Sequence, residues 1–298
     1  MKKTLFTTFT VLLLSPALLL GGCTEHRTAE SLSKAKVVTP TSHQELRQFF
    51  LSHNYSWDTV KKEGVPPIIV KTLPDDLDDI AKTTEKKRIF FLTLLPMVLM
   101  ENEHIGQERD DLLRLCALHD LGKSLSPRQK EQVATLAGQY RVQGSPLTSI
   151  KARRQLLKRV DVIPPSMVLA QAANESAYGT SRFARMGNNL FGEWTFTPGK
   201  GLVPQDRPEG ESYEVRRFSS LYDSVKSYMR NINTNSAYTA LRNQRAMLRS
   251  EGLPLRGMDL AEGLKLYSTR RDDYVKDIRE IIRRNRLSLL ADATLRNP

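Results

Sequence analysis

Hydrophobic positions along this chain recur mostly at helical spacing. A largely apolar run, 5–20, gives way to a polar stretch over 24–42, rich in Ser and Thr and containing Pro40. Leu46, Phe49 and Phe50 then share one helical face, and Ile89, Leu92, Leu95 and Leu99 share another. Pro96 inside that second run predicts a kink or break, with further helices over 110–119 and, behind Ser126-Pro127, over 128–140. Gly144-Ser145-Pro146 interrupts the pattern and marks a domain boundary. Beyond it the spacing predicts a basic helix near 150–160 and a short apolar helix starting after Pro164-Pro165, with Ser166 as its cap and Gly179 at its end. A small hairpin within 191–218 and helices near 222–233, 259–266 and 273–284 follow. No internal repeat is visible. Helices carrying one small antiparallel sheet define an α+β, mostly α, fold class.

The first residues change the reading of the N-terminus. Lys2-Lys3 precede the apolar run, and Leu20-Gly21-Gly22-Cys23 resembles a bacterial lipobox. The run is too short, and too soon followed by polar sequence, for an ordinary membrane span. The chain therefore divides into a lipoprotein signal peptide (1–22), a flexible tether (23–42), a helical N-terminal region (43–145), a second domain (146–287) and a C-terminal tail (288–298). Lipidation of Cys23 leaves Cys116 alone, so no intrachain disulfide forms. Thr24 after the cysteine implies sorting to the periplasmic face of the outer membrane of a Gram-negative cell.

Charge narrows the partners. The formal net charge is +12, and loss of Lys2 and Lys3 leaves 43 basic against 33 acidic residues, a net +10. Such a protein is drawn to an anionic polymer. The basic residues are scattered, as in Arg216-Arg217, Arg242, Arg245 and Arg249, and read as solvated faces; nucleic acid is not the expected partner. Leu118-His119-Asp120 superficially matches a metal-binding His-Asp pair, but no further His or Asp stands at ligand spacing, so no metal or cofactor is expected. Tyr55 and Trp57 are read as packing residues.

The chemistry concentrates in two short segments. Ala173-Asn174-Glu175-Ser176-Ala177-Tyr178-Gly179 places one carboxylate on a small, apolar helix. Desolvation raises the pKa of such a group, so that it stays protonated and can donate to a leaving oxygen; Glu175 is the candidate general acid. Asn188-Asn189-Leu190-Phe191-Gly192-Glu193-Trp194 offers amides suited to sugar hydroxyl and acetamido groups, and aromatic rings suited to sugar faces.

These segments, with Phe218 through Tyr228 and Asn235-Ser236-Ala237-Tyr238, resemble the Bax-like N-acetylglucosaminidases of glycoside hydrolase family 73. The likeness is strong over the C-terminal half and weaker over 85–109. The resemblance implies a lysozyme-like catalytic domain and a peptidoglycan substrate, cut at the β-1,4 bond between N-acetylglucosamine and N-acetylmuramic acid. It carries the catalytic acid to Glu175, and a cleft-lining tyrosine to Tyr267 in Leu266-Tyr267-Ser268-Thr269. Asn188, Asn189, Phe191, Trp194 and Tyr238 are the expected substrate-binding residues. Relatives carry a second carboxylate on the following hairpin, where this chain has Glu209, Glu211 and Glu214. Glu211 is the best placed of these, and attack by the substrate's own acetamido group is the alternative. Two rival functions remain at this point: a lytic transglycosylase, whose Gly-Leu-Met-Gln type segment is replaced here by Asn-Asn-Leu-Phe-Gly, and a non-catalytic peptidoglycan-binding lipoprotein.

Overall fold

A computed structural model describes Leu32 and residues 34–296. The apolar run, Cys23 and half of the tether lie outside the described residues. The described elements, in chain order, are β1 (Lys36–Val38), α1 (His43–Ser52), α2 (Val60–Glu63), β2 (Ile68–Val70), α3 (Thr83–Asp120), α4 (Pro127–Gln139), α5 (Ile150–Arg159), α6 (Pro165–Ser176) and α7 (Arg182–Gly187). They continue with β3 (Trp194–Thr195), β4 (Gly201–Leu202), β5 (Glu214–Arg216), α8 (Leu221–Thr234), α9 (Thr239–Ser250), α10 (Gly257–Leu260) and α11 (Asp272–Arg284), then a 3₁₀ turn, Leu287–Leu290. The fold is mostly helical with a small antiparallel sheet of order β3-β5-β4, in which Trp194 pairs with Val215 and Gly201 with Arg216.

The organising element is α3, 38 residues long. Every residue from Ile89 to Glu101 is buried, so this stretch is apolar all round and forms the centre of the core rather than one face of it. The break expected at Pro96 is absent, and residues 110–119 continue the same helix instead of starting another. Proline forfeits one backbone bond, but α6 and α8 pack on α3 and hold it in place. A continuous buried cluster runs from Leu46 to Ala293, so Gly144, at φ +85°, makes a turn without parting the core. Both ends of the described chain are also docked. Lys36–Val38, read above as tether, pairs in parallel with Ile68–Val70. In the stretch read as a tail, the Val65 and Arg296 amides bond to Thr294 and Val65 carbonyls at 2.9 and 2.8 Å.

Two further expectations change. Ser166 does not cap α6: Pro164 is the cap, and Ser166 is buried where Gly257 of α10 approaches so closely that a Cβ there would stand 2.4 Å from its hydroxyl. Nor are all the arginines of the C-terminal half solvated. Arg245 is fully buried, donating to the carbonyls of Lys158, Asp161 and Val162 and to the Asn233 side chain at 2.8–3.1 Å. Its partner is buried Asp161, which also pairs with Arg249 at 2.6 Å and Arg109 at 3.7 Å. This hub ties α3, the segment after α5, α8 and α9 together. Asp120 has a structural partner of its own, a bidentate contact with Arg153 that fastens the end of α3 to α5.

Candidate active site

Glu175 occupies the last turn of α6, half-buried. The helix ends abruptly there, because Ala177, Tyr178 and Gly179 all adopt left-handed φ values of 50°, 57° and 83°. For two non-glycine residues that conformation is strained, a cost that surrounding structure must offset. Ser176 supplies part of the compensation: its hydroxyl donates to the Ala172 carbonyl at 2.6 Å and accepts from the Gly179 amide at 2.8 Å. Gly179 has no substitute, since a Cβ would stand 2.5 Å from Leu73 Cδ1. The Glu-Ser-x-x-Gly pattern is thus a device for stopping a buried helix sharply with the carboxyl group at its end.

The second segment folds back on the first. Gly192, exposed and at φ +68°, approaches Glu175 so that a Cβ there would lie 3.7 Å from Glu175 Oε2. Asn189 shapes this turn. Its two N–H donors reach the Glu193 and Arg216 carbonyls at 2.8 Å, and its oxygen accepts from the Phe191 and Glu193 amides at 3.3 and 3.0 Å. Every hydrogen-bonding position of that amide is occupied, which leaves none for a sugar. Asn188 donates to the Phe218 carbonyl at 3.1 Å, while its buried oxygen has no partner among the described residues. Phe191 is buried and stacked on Tyr228, centroids 3.9 Å apart.

Tyrosines surround the carboxyl group. Tyr267 donates to the Phe191 carbonyl at 2.8 Å and stacks on Tyr274 at 5.3 Å; buried Tyr238 lies 5.9 Å from Tyr267. The Tyr274 hydroxyl also lies near enough to Glu175 to lower the pKa of its carboxyl group. Its orientation is imposed by a relay: the Tyr228 hydroxyl donates to Gln171 Oε1, and Gln171 Nε2 donates to the Tyr274 oxygen at 2.9 Å. That leaves the Tyr274 proton to point at Glu175. Burial pushes the Glu175 carboxyl above the usual carboxylate range, and hydrogen bonds from Tyr274 and Asn174 pull it back only partly. The Tyr238 phenol is pushed up to about 12, first by burial and then by the nearby charges of Glu175 and Glu193.

The remaining candidates are more dispersed. Trp194 is exposed on β3 and stacked on Tyr213 at 4.5 Å, a flat aromatic platform at the sheet edge. Glu211 is exposed in the loop between β4 and β5. Glu214 instead accepts from the Gly199 and Gly201 amides at 2.9 and 2.7 Å, which holds its carboxyl low and closes the hairpin.

Sequence reasoning passed over Gln171, Tyr274 and Glu193. Gln171 had a visible signal, a polar residue one turn before Glu175 on an otherwise apolar helix. Tyr274 had a weaker one, its place seven residues after Tyr267. Glu193 follows Gly192 directly; burial pushes its carboxyl up, Ser227 donates to it at 2.7 Å, and its other oxygen is buried with no hydrogen-bond partner among the described residues.

Comparison with known proteins places this geometry. A family model described as mannosyl-glycoprotein endo-beta-N-acetylglucosaminidase matches residues 150–287, which contain Glu175, Gly192, Tyr267 and Tyr274. Protein bax of Escherichia coli (strain K12) is 33% identical over 220 residues, 74% of this chain and 74% of the relative. No solved structure matches the chain significantly. With the Glu-Ser helix end and the Asn-x-Phe-Gly turn meeting around one carboxyl group inside the matched segment, the chain belongs to the glucosaminidase family, as a Bax-like member.

Proposed function

We propose that the protein is a peptidoglycan hydrolase that cuts the β-1,4 bond on the reducing side of N-acetylglucosamine, with Glu175 as general acid. The observation that carries this reading is a desolvated carboxyl group ringed by tyrosines, with no cation among the described residues to hold it ionised, on the helix end that meets the Asn-x-Phe-Gly turn. A protonated Glu175 donates to the leaving glycosidic oxygen. The Tyr274 hydroxyl then stabilises the carboxylate that remains, through the bond whose direction Gln171 and Tyr228 impose. Tyr267 supports the site by holding the Phe191 carbonyl, and the exposed Trp194–Tyr213 pair offers a stacking surface for a neighbouring sugar.

For the nucleophile we favour the substrate's acetamido group. Glu211 is exposed in a loop, and one oxygen of Glu193 is bonded to Ser227 while the other is shut away from solvent. Digestion of purified sacculi, read by mass spectrometry, tests the assignment. Fragments ending in reducing N-acetylglucosamine are expected, whereas anhydro-muropeptides would indicate a transglycosylase and the absence of fragments a binding protein. We also propose lipid anchoring through Cys23; Cys23→Ala should move the protein from the membrane to the soluble fraction, and unchanged flotation with membranes would contradict it.

A further inference from the structure

A second concave site lies beside the helix end that carries Glu175. It encloses about 520 Å³ between α2, α3 and the residues that follow α11. Its floor is apolar, with Phe91 and Leu290 buried and Trp57 half-buried at one edge. Its walls carry five cations, Lys61, Lys87, Arg88, Arg284 and Arg286, against a single carboxylate, Asp58. Arg284 is paired with Glu280, and the Lys87 ammonium sits 4.7 Å from the centroid of the Tyr178 ring. Lys61, Arg88 and Arg286 have no ion partner among the described residues and are exposed. Like charges from two distant parts of the chain are thus gathered over an apolar floor, an arrangement that costs repulsion unless an anion occupies it.

The site adjoins the proposed catalytic one through Tyr178. That residue follows Glu175 by three positions, meets Phe91 edge-on at 5.8 Å and lies under Lys87. We propose that this cavity binds the carboxylates of the peptide stems borne by the glycan strand cut at Glu175, a proposal that rests on the function assigned above. Guanidinium groups pair with carboxylates bidentately, and the apolar floor suits the short aliphatic side chains of a peptide better than the hydrated backbone of a nucleic acid. A concave pocket of this size also fits a peptide segment better than a flat anionic membrane surface. The N-terminal region would then contribute directly to substrate selection, since Lys61, Lys87 and Arg88 all precede the segment matched by the family model.

The test uses the full chain carrying Arg88→Glu and Arg286→Glu together, two exposed positions outside the machinery around Glu175. Kinetics are compared on peptide-bearing glycan strands and on strands stripped of their peptides by an amidase. The double variant should raise KM on the peptide-bearing strands about tenfold, as expected from losing two charge-assisted contacts, and leave turnover of stripped strands unchanged. The corresponding Lys variants should retain most of the preference. Equal effects on both substrates, or no effect on either, would overturn the proposal. Titration of a free stem peptide into the catalytically disabled Glu175→Gln protein, with and without the two reversals, keeps the outcome independent of the hydrolase assignment. Reversal-sensitive peptide binding supports the site even where no glycan is cut, whereas reversal-sensitive binding to anionic phospholipid vesicles without peptide binding would contradict it.

Discussion

Two carboxylates, only fourteen residues apart in sequence, are taken out of water in opposite ways. Asp161 lies among Arg109, Arg245 and Arg249, and the neighbouring backbone carbonyls accept the remaining guanidinium protons. Glu175 lies among Tyr238, Tyr267 and Tyr274, with hydrogen bonds from Tyr274 and Asn174 but no cation among the causes that set its protonation. A buried charge paired with several guanidiniums fixes the arrangement of helices. A buried carboxyl left without one tends toward its neutral form and can donate a proton. Burial alone therefore does not mark an active site; the company the carboxylate keeps decides whether it joins elements or performs chemistry.

Stability depends most on Asp161. Replacing it with Ala leaves Arg245 buried and unpaired, which should destabilise the fold by about 3–5 kcal/mol, read as a lowered denaturation midpoint. A loss within about 0.5 kcal/mol, typical of surface positions, would mean that the hub is not a buried ion cluster. A smaller effect is expected at Tyr274→Phe. Loss of its hydrogen bond removes a contribution that lowers the Glu175 pKa, so the alkaline limb of kcat/KM should move to higher pH. Loss of the same bond from the departing state should lower kcat about tenfold. A tenfold loss without movement of the limb would assign Tyr274 a purely architectural role.

Stability against pH sharpens the contrast further. Burial raises the Glu175 pKa in the folded state, so its favourable contribution is complete below the unfolded carboxylate range and is lost as pH rises through the raised value. Glu175→Gln should therefore melt slightly higher than the wild type at neutral pH, the gap closing as pH falls below that range. A variant that melts lower at neutral pH would indicate a stabilising, ionised Glu175. Glu211→Gln should change turnover least, within about twofold, if the acetamido group is the nucleophile; a loss of about a hundredfold or more would make Glu211 the second catalytic carboxylate.

Much of this site is legible in the sequence because its two key segments are local. A lone acid on an apolar helix and an Asn-x-Phe-Gly turn announce themselves, and Tyr267 follows from the family likeness. What escapes is set by contacts across long stretches of chain. The Tyr274 relay depends on a bond from Gln171, 103 residues earlier. Arg245 is indistinguishable in sequence from its exposed neighbours until Asp161 is folded against it. Helical spacing gives the apolar faces of α3 but cannot reveal that the helix passes through Pro96, since that depends on packing from every side. Asn189 shows a further limit: a residue type suited to sugar recognition can be wholly engaged in shaping the turn that serves the site.

The most direct test of the account is the activity of Glu175→Gln on sacculi, measured as release of reducing-end N-acetylglucosamine, with folding verified by circular dichroism. The side chain keeps its shape but cannot donate a carboxyl proton, so turnover should fall about a hundredfold to ten-thousandfold while binding to sacculi persists. Near wild-type turnover in a folded Glu175→Gln protein would contradict the assignment of Glu175 as the acid.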